Sequence, residues 1–271
     1  MIRIRRGPEP LALASVRADA LMRLRSLGRE PISDDIDGYR VVAEDLWRAQ
    51  KHKCCYCEGK LPRSHNDVEH YRPKARADRL PGCVDIHGYW WLAFEWSNLL
   101  FACPGCNRSS KNDRFPLRLG CSPLRAEDVA PGTELPLFLD PAGRSNPVEH
   151  IEFVASRVGG RKGGERWWAR PRNGSELGLW TIEVCSLNRQ DLVELRSDYV
   201  KSYLSRRVRQ LRRSLRSGVL ADVMGQFDEA MLLLHKRCAY VAFSYDVFRH
   251  KVPNSMLAQW GLAWPAPSRV G

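Results

Sequence analysis

Hydrophobic residues recur at helical spacing near the start of the chain. Residues 10–27 place leucine or valine every three or four positions, and Gly28 follows as a helix stop. A second helix is predicted to begin at the polar cluster 33–35, which offers N-cap side chains, and to run to Gln50. The pattern therefore predicts two amphipathic helices whose role is packing.

Two short segments in the centre of the chain alternate between polar and apolar residues like strands. Residues 67–71 form the first and residues 98–102 the second, and a helix is predicted to start near Cys106 and run to Lys111. An aromatic run at 89–96 lies between them. Its bulk favours burial in a core, with base stacking as the alternative. The predicted order is strand, long loop, strand, helix.

The second half of the chain combines strand and helix patterns. Strands are predicted at 134–141 and 150–157, followed by a glycine-rich, basic loop or hairpin at 159–172. A long helix is predicted from about Ser186 and a final helix over 220–248. The fold class is therefore α+β. We expect an N-terminal helical segment over 1–52, a core over 53–118, and a mainly helical α+β region over 119–271.

Charge changes this picture, because the chain of 271 residues carries a formal net charge of +12. Such an excess suits a polyanionic partner, although an ordinary basic protein is the alternative. The long helix concentrates the charge, with six arginines and no acid in its second half: Arg206, Arg207, Arg209, Arg212, Arg213 and Arg216. Both a solvated face and a phosphate-binding surface fit this run.

No apolar run approaches the roughly 20 residues that span a bilayer, and the basic N-terminus lacks the apolar stretch of a secretory signal. A cytoplasmic, reducing location is therefore expected. The nine cysteines then do not indicate a disulfide framework. Four of them form two Cys-x-x-Cys pairs, which predict a structural zinc site: Cys54, Cys57, Cys103 and Cys106. Redox chemistry is the alternative. Cys55 is a competing ligand inside the first pair, but the two-residue spacing favours Cys54.

The two cysteine pairs enclose residues with the chemistry of a hydrolase. Glu69, His70 and Asn98 lie between the pairs, and Asn107 follows the last cysteine directly. Together with the strand–loop–strand–helix order, these residues resemble the ββα-metal fold of HNH endonucleases. Asn107 stands where that family often has histidine, and Glu69 stands where aspartate is usual.

The resemblance implies a role for each of these residues. His70 is expected to act as general base, and Asn98 to orient it. Glu69 and Asn107 are expected to hold a catalytic Mg²⁺ or Mn²⁺, separate from the structural zinc. Four basic residues are expected to contact the nucleic acid: Arg72, Lys74, Arg108 and Lys111.

Longer segments resemble one subfamily, the PtuB nuclease subunits of Septu anti-phage systems and their retron-associated relatives. These segments are EHYRPK, CPGCNRSSKNDRFP, LFLDP and TIEVCSLNRQDLVELR. The resemblance implies an endonuclease that cleaves DNA as the effector of a two-component antiviral defence, with a PtuA-like ATPase subunit as its partner. Duplex DNA is the expected substrate, with single strands and RNA left open. The alternatives are a non-catalytic zinc-held module that binds nucleic acid or a partner, and a free-standing HNH nuclease of toxin or restriction type.

Overall fold

The computed structural model describes residues 1–64, 66–80, 83–126, 128, 132–157 and 164–271. The chain divides into two compact units. We call them the cysteine unit (Ile4–Gly143 with Val184–Ser186) and the helical unit (Met1–Arg3, Arg144–Glu183 and Leu187–Gly271). Across the described residues, no helix has both the length and the hydropathy to cross a membrane.

The cysteine unit contains helices and two antiparallel sheets of two strands each. The helices are α1 (Leu11–Arg25), α2 (Ala43–Ala49) and α3 (Pro104–Cys106), and the strands are β1 (Asp67–His70), β2 (Ala77–Leu80), β3 (Cys83–Asp85) and β4 (Leu99–Ala102). The 3₁₀ turns are Ser33–Asp35, Tyr39–Val42, Trp90–Leu92 and Trp96–Asn98. A π-helical turn, Asn107–Lys111, continues α3.

Strands β1 and β4 form the two-stranded antiparallel sheet that carries the candidate site. Glu69 pairs with Leu100 and His70 with Leu99, and the four residues of β4 are all buried. The Gln50 side chain forms hydrogen bonds with both backbone groups of Phe101 in β4. It accepts from the Phe101 amide at 2.7 Å and donates to the Phe101 carbonyl at 2.7 Å. The predicted order of strand, loop, strand and helix is confirmed here, and the loop also holds the β2–β3 hairpin.

The helices of the first 52 residues share one hydrophobic core with the β1–β4 sheet and the aromatic run. Leu13 and Leu46 are fully buried in this core together with Phe94 and Phe101. The predicted burial of the aromatic run is therefore confirmed. The division of the chain into 1–52, 53–118 and 119–271 remains a prediction about functional domains.

Two predictions of local structure in the cysteine unit are wrong. The helix predicted from 33 to 50 is interrupted at Gly38, whose φ of 89° lies in the left-handed region, and only α2 is α-helical. The strand predicted at 134–141 reduces to one isolated bridge between Leu117 and Pro136. Proline has no amide to donate to a strand ladder, which accounts for the missing strand.

The helical unit begins with a hairpin of β5 (Ile151–Arg157) and β6 (Glu165–Pro171). Its helices are α4 (Glu176–Val184, whose last residue belongs to the cysteine unit), α5 (Gln190–Tyr199), α6 (Ser205–Ser217), α7 (Leu220–Leu232), α8 (Val241–Lys251) and α9 (Asn254–Leu257). The strand predicted at 150–157 is confirmed. The loop or hairpin predicted at 159–172 lies partly outside the described residues.

The long helix predicted from about Ser186 is confirmed from Gln190 to Ser217, with a π-helical turn at Val200–Leu204 joining α5 to α6. Its predicted inward stripe is buried: Leu204, Val208, Leu211 and Leu215. The single helix predicted over 220–248 is wrong. Helix α7 ends at Leu232, and α8 begins directly after Tyr240, whose φ of 51° lies in the left-handed region.

At two positions of the helical unit, close packing or a buried ion pair requires the residue that is present. A Cβ added to Gly178 in α4 would collide with the backbone carbonyl of His150, so the helix approaches that chain too closely for a side chain. Asp246 of α8 is buried and bonds the Arg172 guanidinium at 2.6 Å. Burial raises the pKa of Asp246 to about 6, and Arg172 opposes that shift.

Candidate active site and cysteine cluster

The four cysteines predicted as metal ligands lie together. Their sulfur atoms are all within 4.8 Å of one another, and Cys57 Sγ is 4.0 Å from Cys103 Sγ. In the second pair the Cys103 carbonyl accepts from the amides of Cys106, at 3.1 Å, and Asn107, at 2.9 Å. This turn aims both thiols at one point. Four clustered thiols are the ligand set of a structural zinc ion, so the residues fit that metal.

The cluster joins two distant parts of the chain at one end of the β1–β4 sheet. Cys54 and Cys57 precede β1, whereas Cys103 follows β4 directly. Cys55 is also buried but is not part of the cluster, and its amide donates to the Phe101 carbonyl at 3.0 Å. The structure therefore groups Cys54, not Cys55, with the other three thiols.

His70 ends strand β1 and is buried. Its Nε2 lies 3.0 Å from the carbonyl oxygen of Ala93, and its ring meets the Tyr39 ring edge-on at 4.5 Å between centroids. Because a carbonyl oxygen only accepts hydrogen bonds, Nε2 must carry the proton, which leaves the lone pair on Nδ1. Burial lowers the pKa of His70 to about 3, so the imidazole is neutral at pH 7.

Asn98 ties together the chain segments on either side of His70. Its side-chain oxygen accepts from the Arg72 amide at 2.8 Å, and its side-chain nitrogen lies 3.1 Å from the carbonyls of both Arg72 and Leu92. Leu92 directly precedes Ala93, whose carbonyl holds the His70 ring. Asn98 therefore fixes the loop that orients the imidazole.

Glu69 is buried beside His70 and is held by two side chains. Its Oε1 lies 2.8 Å from Lys111 Nζ and accepts from the Tyr56 hydroxyl at 3.1 Å. Lys111 Nζ also donates to the His70 carbonyl at 2.5 Å. Burial raises the pKa of Glu69, and the Lys111 ammonium opposes that shift.

Asn107 faces the same strand from the π-helical turn. Its amide nitrogen donates to Asp67 Oδ2 at 3.1 Å, so its amide oxygen is the atom left to bind a cation. Asp67 also accepts from the exposed Arg108 guanidinium, at 2.9 Å from Nε. An exposed pair of this kind adds little to stability, but it fixes the Asp67 carboxylate beside Asn107.

Most of these residues line one cavity of about 560 Å³. Glu69, His70, Asn107 and Lys111 all line it, together with Tyr39. Asn98 contacts the surrounding loop instead. A carboxylate oxygen and an amide oxygen in one cavity are donors of the type that Mg²⁺ or Mn²⁺ takes, but the Glu69 carboxylate is already paired with the Lys111 ammonium.

The four basic residues predicted to contact nucleic acid have internal partners. Arg72 is buried and pairs with Glu134. Lys74 Nζ donates to the backbone carbonyls of residues 33 and 36, and Arg108 pairs with Asp67. Lys111 is fully buried. Their contact with nucleic acid remains a prediction.

Two residues of the site were missed in the sequence. Asp67 lies two positions before Glu69 on β1, and the period of two in strands places both on one face, a signal that was available. Tyr56 lies inside the first cysteine pair, and its hydroxyl reaches Glu69 only because the cluster folds that segment onto β1. Nothing in the local pattern indicates that contact.

Comparison of the sequence with known proteins places the chain in a family. The chain is 30% identical over 222 residues to Septu protein PtuB of Bacillus mycoides (strain KBAB4), covering 78% of this chain and 71% of that protein. The chain belongs to the PtuB family. The family resemblance stated from the sequence is thereby confirmed.

Two further relatives cover less of this PtuB-family chain. Septu protein PtuA of the same strain is 28% identical over 152 residues, which are 56% of this chain and 20% of PtuA. A retron Ec83 protein of Escherichia coli, named as a candidate HNH endonuclease, is 30% identical over 91 residues, 32% of each chain. No family model matches the chain, and no solved structure matches it.

Proposed function

We propose that this PtuB-family protein is a metal-dependent HNH endonuclease that hydrolyses phosphodiester bonds in DNA. One observation carries the proposal. His70 has its proton on Nε2 and its lone pair on Nδ1, and it shares a cavity with the oxygen donors Glu69 and Asn107. Membership of the PtuB family and the similarity to the retron Ec83 protein support the same reaction.

In this reaction His70 removes a proton from the water that attacks phosphorus, and the bond from phosphorus to the 3′ oxygen breaks as that oxygen leaves. The imidazole is neutral at pH 7, which is the form that accepts a proton, but a pKa lowered to about 3 makes it a weaker base than an ordinary histidine. Glu69 and Asn107 would hold Mg²⁺ or Mn²⁺, which supplies the positive charge that stabilises the phosphoryl transition state. Asn98 positions the loop whose Ala93 carbonyl fixes the imidazole.

The cysteine cluster has a structural part in this proposal. Four thiolates complete a tetrahedral zinc shell and leave no open position for substrate. A zinc ion held by these thiols would tie Cys54 and Cys57 to Cys103 and Cys106, and so join the chain before β1 to the chain after β4.

The defence role and the partner follow from the family. We propose that the protein is the effector nuclease of a two-component anti-phage system and that it acts with a PtuA-like ATPase subunit. Family membership supports this partner. The segment of PtuA that resembles this chain is a likeness of sequence and not a contact between two proteins.

Plasmid cleavage tests the nuclease. Wild-type protein, with and without the ATPase subunit, is incubated with supercoiled DNA and Mg²⁺ or Mn²⁺. We expect His70→Ala to reduce nicking by about 10²–10⁴-fold, because it removes the general base. The matched control is His87→Ala, an exposed histidine outside the cavity lining, which should nick like wild type.

A second candidate is a non-catalytic module that binds nucleic acid or a partner. The ion pair between Glu69 and Lys111 favours it, because that carboxylate is already occupied by a cation of the protein. DNA binding without nicking by the wild type, under every metal and partner condition, would establish this candidate and overturn the nuclease.

A further inference from the structure

Helix α6 of the helical unit has an unusual distribution of charge. Its thirteen residues, Ser205–Ser217, include six arginines and no acid. The following helix, α7 (Leu220–Leu232), has the opposite composition, with three acids and neither lysine nor arginine. An ordinary solvated helix face mixes both signs, so the charges here are sorted by helix.

Four of the arginines form one exposed stripe, which we call the arginine stripe: Arg206, Arg209, Arg213 and Arg216. Their spacing of three, four and three residues places them on one side of the helix. The buried residues Leu204, Val208, Leu211 and Leu215 occupy the opposite side. At a rise of 1.5 Å per residue, the stripe is roughly 15 Å long.

The arginine stripe lacks counter-charges within the described part of the chain. No described carboxylate lies within 4.0 Å of any of its four guanidinium groups, whereas the neighbouring Arg207 pairs with Glu229 at 2.8 Å. Arg213 and Asp222 line one shallow cavity without forming such a pair. Like charges three or four residues apart on a helix repel one another, so this face gains most from an external anion.

We infer that the arginine stripe binds the phosphate backbone of duplex DNA. A duplex carries one negative charge per 1.7 Å of axis, so a stripe of about 15 Å lies alongside roughly nine phosphates. Arginine presents a planar fork that bonds two phosphate oxygens at once, which suits a rigid row of phosphates. The inference deepens the proposed nuclease function by giving its substrate a sequence-independent binding surface.

Equilibrium binding tests the stripe without any cleavage. Binding of a labelled 24-base-pair duplex is measured by fluorescence anisotropy between 50 and 200 mM NaCl, in a His70→Ala background without added Mg²⁺ or Mn²⁺. The stripe variant replaces all four stripe arginines by glutamine. The control variant makes the same change at four other exposed cations of the helical unit, and so removes the same formal charge: Arg170, Lys236, Arg237 and Arg269.

We expect the stripe variant to bind about 100-fold more weakly at 100 mM NaCl. The slope of log K against log salt concentration should also become less negative by about 0.9 for each lost phosphate contact. Loss of all four contacts would change this slope by about 3.6. The control variant should lose less than about fivefold. The stripe variant should melt at the same temperature as its parent or higher, because it relieves repulsion on the helix.

Equal binding and equal salt dependence in the two variants would overturn the inference. So would a stripe variant that binds DNA normally but no longer binds the ATPase subunit, since the stripe would then serve an acidic protein surface. A wild type that never nicks DNA while the stripe variant loses duplex binding would overturn the nuclease alone.

Discussion

Replacing Lys111 by methionine removes the cation that faces Glu69 inside the cysteine unit. Lys111 Nζ lies 2.8 Å from Glu69 Oε1, and the two side chains are only 1% and 3% exposed. The carboxylate is therefore poorly solvated once the ammonium is gone. Breaking one side of such a buried pair costs about 3–5 kcal/mol, so we expect Lys111→Met to lower the free energy of unfolding by that amount at neutral pH.

A double variant separates charge from packing. Glu69→Gln keeps a side-chain oxygen that can accept from the Tyr56 hydroxyl but carries no charge. Lys111→Met with Glu69→Gln should therefore be more stable than Lys111→Met alone, with a coupling free energy of about 1–3 kcal/mol. The control is Lys201→Met, which breaks an ion pair with Asp198 whose side chains are 69% and 73% exposed and should leave stability nearly unchanged.

The pH dependence has a definite sign. In Lys111→Met, burial raises the pKa of Glu69 without an opposing cation, so the folded protein takes up a proton that the unfolded chain lacks. The stability deficit relative to wild type should shrink as the pH falls through that raised pKa. Urea unfolding in the presence of zinc, at pH 7.5 and pH 5.5, measures it. A deficit below about 1 kcal/mol at pH 7.5, or one that Glu69→Gln fails to reduce, would refute the reasoning.

Three other changes test separate parts of the molecule. Cys54→Ser should lower bound zinc, measured by elemental analysis, and Cys55→Ser should not, because only the first thiol belongs to the cluster. Gly178→Ala should destabilise the folded protein by more than about 2 kcal/mol, because the new Cβ collides with a backbone carbonyl. Gly225→Ala on α7 places its Cβ in open space and should stabilise the folded protein by up to about 1 kcal/mol. Thermal unfolding measures both. Equal effects of the two alanines would contradict this packing. For Asp246→Asn the measured quantity is the free energy of unfolding of wild type minus that of the variant. This difference should fall as the pH rises from about 4 to about 6, by at most about 1.4 kcal/mol per pH unit. The reason is that the native carboxyl, with a pKa of about 6, holds a proton that the unfolded chain releases. A pH-independent difference in urea unfolding would show that this carboxyl keeps its ordinary pKa.

Local periodicity predicted the elements whose formation depends on neighbouring residues. Helix α1 follows its leucine spacing, and β1 and β4 follow their alternation. Two of the failures occur where one residue adopts a left-handed backbone conformation, whereas the strand predicted at 134–141 fails at Pro136, which has no amide to donate. Gly38 interrupts the second predicted helix, and Tyr240 lies in the break of the last one, directly before α8. Periodicity does not report φ at a single position, and tertiary packing is what holds a tyrosine there.

The sequence by itself determined the two pairs of cysteine thiols, because the spacing of Cys54 with Cys57, and of Cys103 with Cys106, fixes each pair locally. The meeting of the two pairs in one cluster was decided by the tertiary structure. The sequence also placed His70 between the two pairs. Only the tertiary structure decided that Lys111 faces Glu69 rather than solvent, and that Arg72 is buried against Glu134. These partners lie 42 and 62 positions apart. Whether a charged side chain meets water or a carboxylate depends on the folding of the chain between them, which no local pattern encodes.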